Sequence, residues 1–248
     1  MRSIFRKMRM KMASENKPMA YMRYAIGEII LVVIGILIAL QINNWNSERI
    51  ANAKMKTYLH DIKEDLIADT LGFNRNIGYY KNFVEFKHRF LSLTQFENIS
   101  TDSLSNLIIP QYGKYDINTT TFTKITNLGI SELSKNDSLS QKIYDYYTTR
   151  IKYFNTIMNW ELDATTIEAN YWLYGQKEYE IKLTNEFPQF QDKNENRRNL
   201  IKLISETKGR NYLLLDYQRK QRVLEVYENM RKIAIELINE IQNDLTGN

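Results

Sequence analysis

Cysteine is missing from this chain of 248 residues, and proline and glycine are scarce, with 3 and 9 residues. Without cysteine the chain forms no disulfide, has no thiolate nucleophile and offers no sulfur ligand to zinc. Because few residues break helices or form tight turns, we expect long helices rather than many short strands. The length allows one or two domains, and the hydrophobic content of 43% is ordinary for a globular protein.

Motifs that identify common enzyme classes are also missing. The sequence contains no Gly-rich phosphate loop, no G-x-S-x-G elbow and no HExxH pair, and its only histidines are His60 and His88. We therefore predict no catalytic, cofactor-binding or metal-binding residues.

Positive charge is concentrated before residue 25. Residues 1–24 contain seven Lys or Arg and one acid, a net charge of +6, whereas the whole chain carries +5. The remaining residues are therefore nearly neutral at −1, which argues against a nucleic-acid-binding surface. We predict a basic cytoplasmic tail over residues 1–24. Ile4, Phe5, Met8 and Met12 share one helical face there, so the tail is either an amphipathic helix on anionic lipid or an unstructured basic segment.

Residues 25–42 form an apolar run interrupted only by Glu28 and Gln41. Eighteen helical residues span roughly 27 Å, close to the hydrocarbon thickness of a bilayer. Glu28 lies in the first turn, where its carboxylate can reach the headgroups, and Trp45 follows the run as an interfacial anchor. Because residues 40–42 do not form a small-x-small cleavage site, we predict an uncleaved signal anchor.

The charge on either side of this anchor predicts its orientation. The excess of Lys and Arg precedes it, so the N-terminus is expected in the cytoplasm and residues 43–248 in the periplasm, with a single pass through a bacterial inner membrane. Gly27, Gly35 and Ala39 lie on one face of the helix, and Gly35-x-x-x-Ala39 is a pattern that lets two helices approach closely. The expected partners are the lipid bilayer and either another protein or a second copy of the chain.

The block YAIGEIILVVIGILIALQINNWN at residues 24–46 resembles the opening segment of an uncharacterised family of single-pass membrane proteins that is abundant in Bacteroidota. A looser similarity follows at Phe122, Ile125 and residues 127–129, where Asn-Leu-Gly replaces the Ser-Gly that is usual in the family. The resemblance implies a membrane anchor followed by a helical region. It implies no activity, because none is established for the family.

Residues 43–248 show helical periodicity. We predict an all-α fold in which the transmembrane helix precedes an antiparallel bundle of about four long helices. Short helices are expected at 101–109 and 121–128, the second ended by Gly129, and Asp137 or Ser138 is expected to cap a long helix. The apolar stripes are Leu59, Ile62, Leu66, Phe73, Ile77, Tyr80, Val84 and Leu91; Leu139, Ile143, Tyr146 or Tyr147, Ile151, Phe154, Met158 and Leu162; and Val223, Tyr227, Met230, Ala234, Leu237 and Ile241.

Three groups of polar or aromatic residues are candidates for a site. His60 and Glu64 have metal-ligand spacing, but such turns are usually a solvated helix face. The acids Glu161, Asp163 and Glu168 match no catalytic pattern, and the tyrosines of the central helix suit either a binding surface or core packing. The sequence therefore favours a membrane-anchored, non-enzymatic interaction or sensory module. The alternatives are a structural subunit of a membrane assembly and an enzyme with a site between the helices.

Overall fold

The computed structural model describes residue 10, residues 18–182, residue 184 and residues 186–247. Within those residues the regular structure is entirely helical, so the all-α prediction is confirmed. The chain divides into two units, Met1–Lys56 and Thr57–Asn248. The helices are α1 (Pro18–Leu91), α2 (Thr101–Ile108), α3 (Thr120–Asn127), α4 (Asp137–Asp145), α5 (Ile151–Ala169), α6 (Lys193–Ser205) and α7 (Thr207–Thr246), with π-helical turns at Tyr146–Arg150 and Asn170–Tyr174.

The first unit contains the apolar part of α1. An 18-residue window there has a mean hydropathy of 2.6, and none of its residues is buried. This is the one helix in the described part of the chain that is long and apolar enough to cross a membrane. Since an uncovered apolar surface of this length is unfavourable in water, it suggests a membrane anchor. The apolar face predicted for Ile4, Phe5, Met8 and Met12 lies outside the described residues.

The second unit has two hydrophobic cores. The first core combines α1 with α3, α4, α5 and α7, and it contains Phe73, Phe154 and Tyr227. The second core combines Phe90 at the end of α1 with α2, α6, Trp172 and Leu213. The predicted seam of α7 is confirmed, because all six of its residues are buried.

Helix α7 packs against the second-unit part of α1. The rings of Phe73 and Tyr80 both contact the ring of Tyr227, with centroid separations of 6.1 and 5.7 Å. Further along, the Lys63 ammonium donates to the Gln242 side chain at 3.1 Å. Contact between the final helix and α1 therefore extends over several turns of both.

Two of the predicted stripes were partly wrong. On α1 the buried face follows Phe83 and Phe90; Leu91 is half-buried but packs against the second core, whereas Val84 is half-buried and belongs to neither core. On α5, Glu161 is fully buried and Leu162 is 44% exposed. Hydrophobicity alone favours Leu162 over Glu161 as the buried residue, but the buried cations Arg219 and Lys220 hold the Glu161 carboxylate inside.

The predicted boundaries hold to within a few residues. The Asn136 side chain accepts from the Leu139 amide and caps α4, so the expected cap at Asp137 or Ser138 was wrong by one or two positions. From Asp137 the chain stays helical through both π turns to Tyr174. Gly129 has φ of 71° just beyond α3, as expected of a glycine that ends a helix. The helix α6, Lys193–Ser205, begins after the Asp192 cap, whose side chain accepts from the amides of Asn194 and Glu195.

Two glycines within α1 allow a matched test. A Cβ on Gly72 would overlap the Tyr115 ring, whereas a Cβ on Gly78 meets nothing within 4 Å. We expect Gly72→Ala to destabilise the protein by about 1–3 kcal/mol through overpacking. Gly78→Ala should stabilise it by about 0.5–1 kcal/mol, since alanine is the better helix former. Thermal unfolding of the detergent-solubilised chain measures both, and equal effects of the two substitutions would contradict the packing of Tyr115 on Gly72.

Candidate functional site

The residues predicted for the membrane anchor lie on the first-unit part of α1. A Cβ built on Gly27 or Gly35 meets no atom within 4 Å, and Trp45 is 65% exposed. Ala39 is exposed and Glu28 is half-buried. The small-residue face is therefore open to another helix, and its role in association stays a prediction.

The histidines lie on an exposed surface of α1. The side chain of His60 is 59% exposed and Glu64 is also exposed, which matches the interpretation of a solvated face. Glu85 and His88, the one Glu-x-x-His pair of the sequence, are likewise exposed. Among the described residues, no group of three or more His, Asp or Glu side chains converges as metal ligands.

Six charged side chains are buried together between the two hydrophobic cores. We call this group the ion layer; its members are Lys87 of α1, Glu161 and Glu168 of α5, and Asp216, Arg219 and Lys220 of α7. When all three acids are ionised, its three cations and three anions balance. Each helix therefore contributes charge at positions where its apolar stripe would otherwise continue.

Every acid of the ion layer has a basic partner. The Arg219 guanidinium donates to Glu161 at 3.1 Å and to Asp216 at 3.1 Å, and it also pairs with Glu168. The Lys87 ammonium donates to Asp216. Lys220 pairs with Glu161 and donates to the backbone carbonyl of Gln111. These bonds offset the cost of removing six charges from water.

The pKa values follow from this pairing. Burial by itself favours protonation of Asp216, but the Lys87 and Lys220 ammoniums hold the pKa of Asp216 below its ordinary value. Burial raises the pKa of Glu168 to about 7, and the negative charge of Asp216 adds to this against the opposing effect of Arg219. Glu168 is therefore only partly ionised near neutral pH.

A second polar group lies in the first core. We call it the carboxylate–tyrosine cluster; its members are Asp65, Asp69, Tyr115, Asn118, Tyr146 and Tyr147. Asp69 Oδ1 accepts from the Tyr115 hydroxyl and from the Asn118 amide, both at 3.0 Å, and the Asn118 side chain donates to Asp65 Oδ1 at 2.6 Å. The irregular segment between α2 and α3 is thereby fixed to α1.

Burial raises the pKa of Asp69 to about 6, and the nearby charge of Asp65 adds to the shift. The hydrogen bonds from Asn118 and Tyr115 act in the opposite direction. Burial likewise raises the pKa of Tyr146 and Tyr147, and the charge of Asp69 raises both further. The carboxylate of Asp69 is therefore close enough to both phenols to influence them.

Large apolar side chains are exposed at intervals of seven residues along α5 and the π turn that follows. We call them the outer strip; its members are Tyr153, Trp160, Ile167 and Tyr174, which are 43%, 49%, 59% and 79% exposed. The half-buried Ile157, Ala164 and Tyr171 fall between them. The steps alternate between four and three residues, which is the spacing of a helix-pairing seam.

The sequence indicates only part of these buried polar groups. Glu161 and Glu168 stand out as acids in one helix, but no catalytic or metal-binding motif points to their partners Lys87, Arg219 and Lys220. A signal for these partners exists, because Asp216 and Lys220 continue the buried seam of α7 from Leu213 to Val223 at steps of three and four. Charged residues at seam positions of several helices indicate a buried ion network.

Titration of Asp69 gives a testable pH dependence. Its pKa is about 6 in the folded chain against an ordinary value of 3.8, so the folded state binds the proton more tightly. The contribution of this bound proton to the free energy of unfolding is fully present below pH 3.8 and is lost as the pH rises through 6. Asp69→Asn keeps an acceptor for Tyr115 and Asn118. Between pH 4 and pH 8, the free energy of unfolding of the variant should rise by up to about 3 kcal/mol relative to that of the wild-type chain.

Denaturant unfolding followed by circular dichroism, repeated across this pH range, measures the difference. Asp163→Asn, an exposed site on α5, serves as the control and should run parallel to the wild-type chain. A parallel curve for Asp69→Asn as well would show that Asp69 does not titrate near 6.

Comparisons with other proteins bear on the family alone. Curated proteins and solved structures gave no match. The sequence model of a family of unknown function, DUF6090, matches residues 28–174, which are more than half of the chain and extend from the apolar helix through the second π turn. The protein therefore belongs to the DUF6090 family of unknown function.

Proposed function

We propose that this protein is a membrane-anchored, non-enzymatic interaction module. In this proposal residues 25–42 are an uncleaved signal anchor in the inner membrane of a bacterium of the Bacteroidota, the resemblance of residues 24–46 being the reason for that assignment. The basic tail is cytoplasmic. Residues 43–248 are periplasmic, and their helical part is an antiparallel bundle that binds a partner protein.

The outer strip is the observation that carries the interaction role. Scattered exposed apolar residues are normal on a protein surface, but four large ones at a heptad interval on one helix form a continuous stripe. Tyrosine and tryptophan are enriched at protein interfaces, because they bury a large ring and keep a polar atom at the rim. The apolar character of the strip therefore suits the apolar face of a partner helix.

Helix α7 provides polar contacts beside the strip. Arg222 donates to the Tyr153 hydroxyl, and Tyr212 stacks on Tyr171 with a centroid separation of 4.3 Å. Leu215 is three residues from Tyr212 and seven from Arg222, so it lies on the same face of α7, and it is 55% exposed. The strip is thus flanked by an arginine and by a further exposed apolar residue.

The absence of cysteine makes the proposal directly testable with single-cysteine variants. Ile167→Cys places a thiol on the outer strip, and Thr166→Cys places one at the next position, which is exposed but off the strip. In cells with a permeabilised outer membrane, a membrane-impermeant maleimide should label the Thr166 variant readily. The Ile167 variant should react slowly, because the partner covers it, and should react quickly after the complex is dissociated in detergent.

The proposed orientation and the proposed interaction role are contradicted by different outcomes. If the Thr166 variant is labelled only after the inner membrane is broken, the proposed orientation is wrong. If both variants react equally fast in membranes and in detergent, the outer strip is uncovered and the interaction role is wrong.

A further inference from the structure

Four buried polar atoms of the carboxylate–tyrosine cluster have no hydrogen-bond partner among the described residues. They are Oδ2 of Asp65, Oδ2 of Asp69 and the hydroxyl oxygens of Tyr146 and Tyr147. Asp69 and Tyr146 are fully buried and Tyr147 is 7% exposed. An uncompensated buried polar atom costs about 1–3 kcal/mol, so four of them in one place require an explanation.

These four atoms belong to one site. Asp65 and Asp69 are one helical turn apart on α1, and Asn118 bonds to both carboxylates. Tyr146 and Tyr147 are consecutive residues of the first π turn, with ring centroids 5.1 Å apart. The charge of Asp69 acts on both phenols, and that of Asp65 acts on Tyr147. Each carboxylate thus has one oxygen bonded to protein and one oxygen left over.

The charge of this site is not balanced by protein. In the described part of the chain, no lysine, arginine or histidine forms an ion pair with Asp65 or Asp69, in contrast to the ion layer, where every acid has a basic partner. Two carboxylates one turn apart, one of them fully buried, also repel each other. A hydrogen bond from a tyrosine would satisfy an oxygen but would leave the net charge of −2 unchanged.

We propose that Asp65 and Asp69 bind a Ca²⁺ ion, with the hydroxyl oxygens of Tyr146 and Tyr147 completing the protein side of the site. The available groups are all oxygens, which hard cations prefer, and they include no nitrogen or sulfur. Two carboxylates balance a divalent charge. Ca²⁺ accepts six to eight oxygens in irregular geometry and takes its remaining ligands from water, whereas Mg²⁺ demands a near-ideal octahedron.

The surroundings suit this assignment. Asp65 is half-buried, so solvent reaches the residue, while Asp69 and Tyr146 close the inner side. Phe122 stacks on Tyr147 with a centroid separation of 4.5 Å and fixes that ring. The first π turn places two consecutive tyrosines toward the core, and π turns occur frequently at functional sites. With two carboxylates as its only charged ligands, the site should be weak, with Kd of about 10⁻⁴–10⁻³ M.

Thermal unfolding of the full chain in detergent tests the proposal. The protein is first treated with EDTA and then transferred to buffer that contains Ca²⁺ or NaCl of equal ionic strength. We expect Ca²⁺ at about ten times Kd to stabilise the folded chain by about 1.4 kcal/mol and to raise Tm by about 3–6 °C relative to NaCl. Asp65→Asn and Asp69→Asn should lose this rise. Glu64→Gln, which removes an exposed carboxylate from the same helix, should keep it.

A spectroscopic measurement distinguishes the loss of cation binding from the misfolding of a variant. Tb³⁺ occupies Ca²⁺ sites, and tyrosines next to it sensitise its luminescence, so Tb³⁺ should emit on tyrosine excitation and Ca²⁺ should displace it. Tyr147→Phe preserves the ring and should weaken Tb³⁺ binding without loss of helicity. The proposal is overturned if Ca²⁺ does not stabilise the wild-type chain, or if Asp65→Asn and Asp69→Asn respond to Ca²⁺ as strongly as Glu64→Gln does.

Discussion

Six buried charges between two hydrophobic cores constrain the helical body more than any other contact. Lys87, Glu161 and Asp216 come from three different helices, and each is placed where its oppositely charged partners can reach it. A hydrophobic seam tolerates a shift of one helix along another, because one apolar contact replaces another. Buried charges do not tolerate such a shift, because it leaves an acid or a base unpaired in a medium of low polarity. The ion layer therefore fixes the register of α1, α5 and α7.

The two buried polar groups differ in charge and hence in what they can do. The ion layer pairs three cations with three acids that bond to one another, which suits a structural role. The carboxylate–tyrosine cluster has two acids, no basic partner in the described part of the chain and four unpaired polar atoms. In the proposed Ca²⁺ site, a cation from outside the protein balances these acids. Buried acidic residues therefore stabilise the fold in the ion layer, whereas in the carboxylate–tyrosine cluster they point to ligand binding.

The sequence allowed the helices to be predicted better than the sites. The seam of α7 and the short helices α2 and α3 follow from periodicity and capping, because these signals are local. Tyr115 and Asn118 lie in a segment without periodicity, and their contacts with Asp69 span more than forty residues of sequence. Buried charges were missed for a related reason. Glu161 is buried in place of Leu162 only because Arg219 and Lys220, almost sixty residues away, meet it there.

The most direct test of the ion layer compares a buried ion pair with an exposed one. Lys87→Met removes a cation that is 3% exposed and leaves Asp216 short of a partner. Lys142→Met removes an exposed cation that bonds to Glu240 at 2.7 Å. Denaturant unfolding of the full chain should show a loss of about 3–5 kcal/mol for Lys87→Met and about 0–1 kcal/mol for Lys142→Met. Equal losses would mean that the ion layer does not hold the body together.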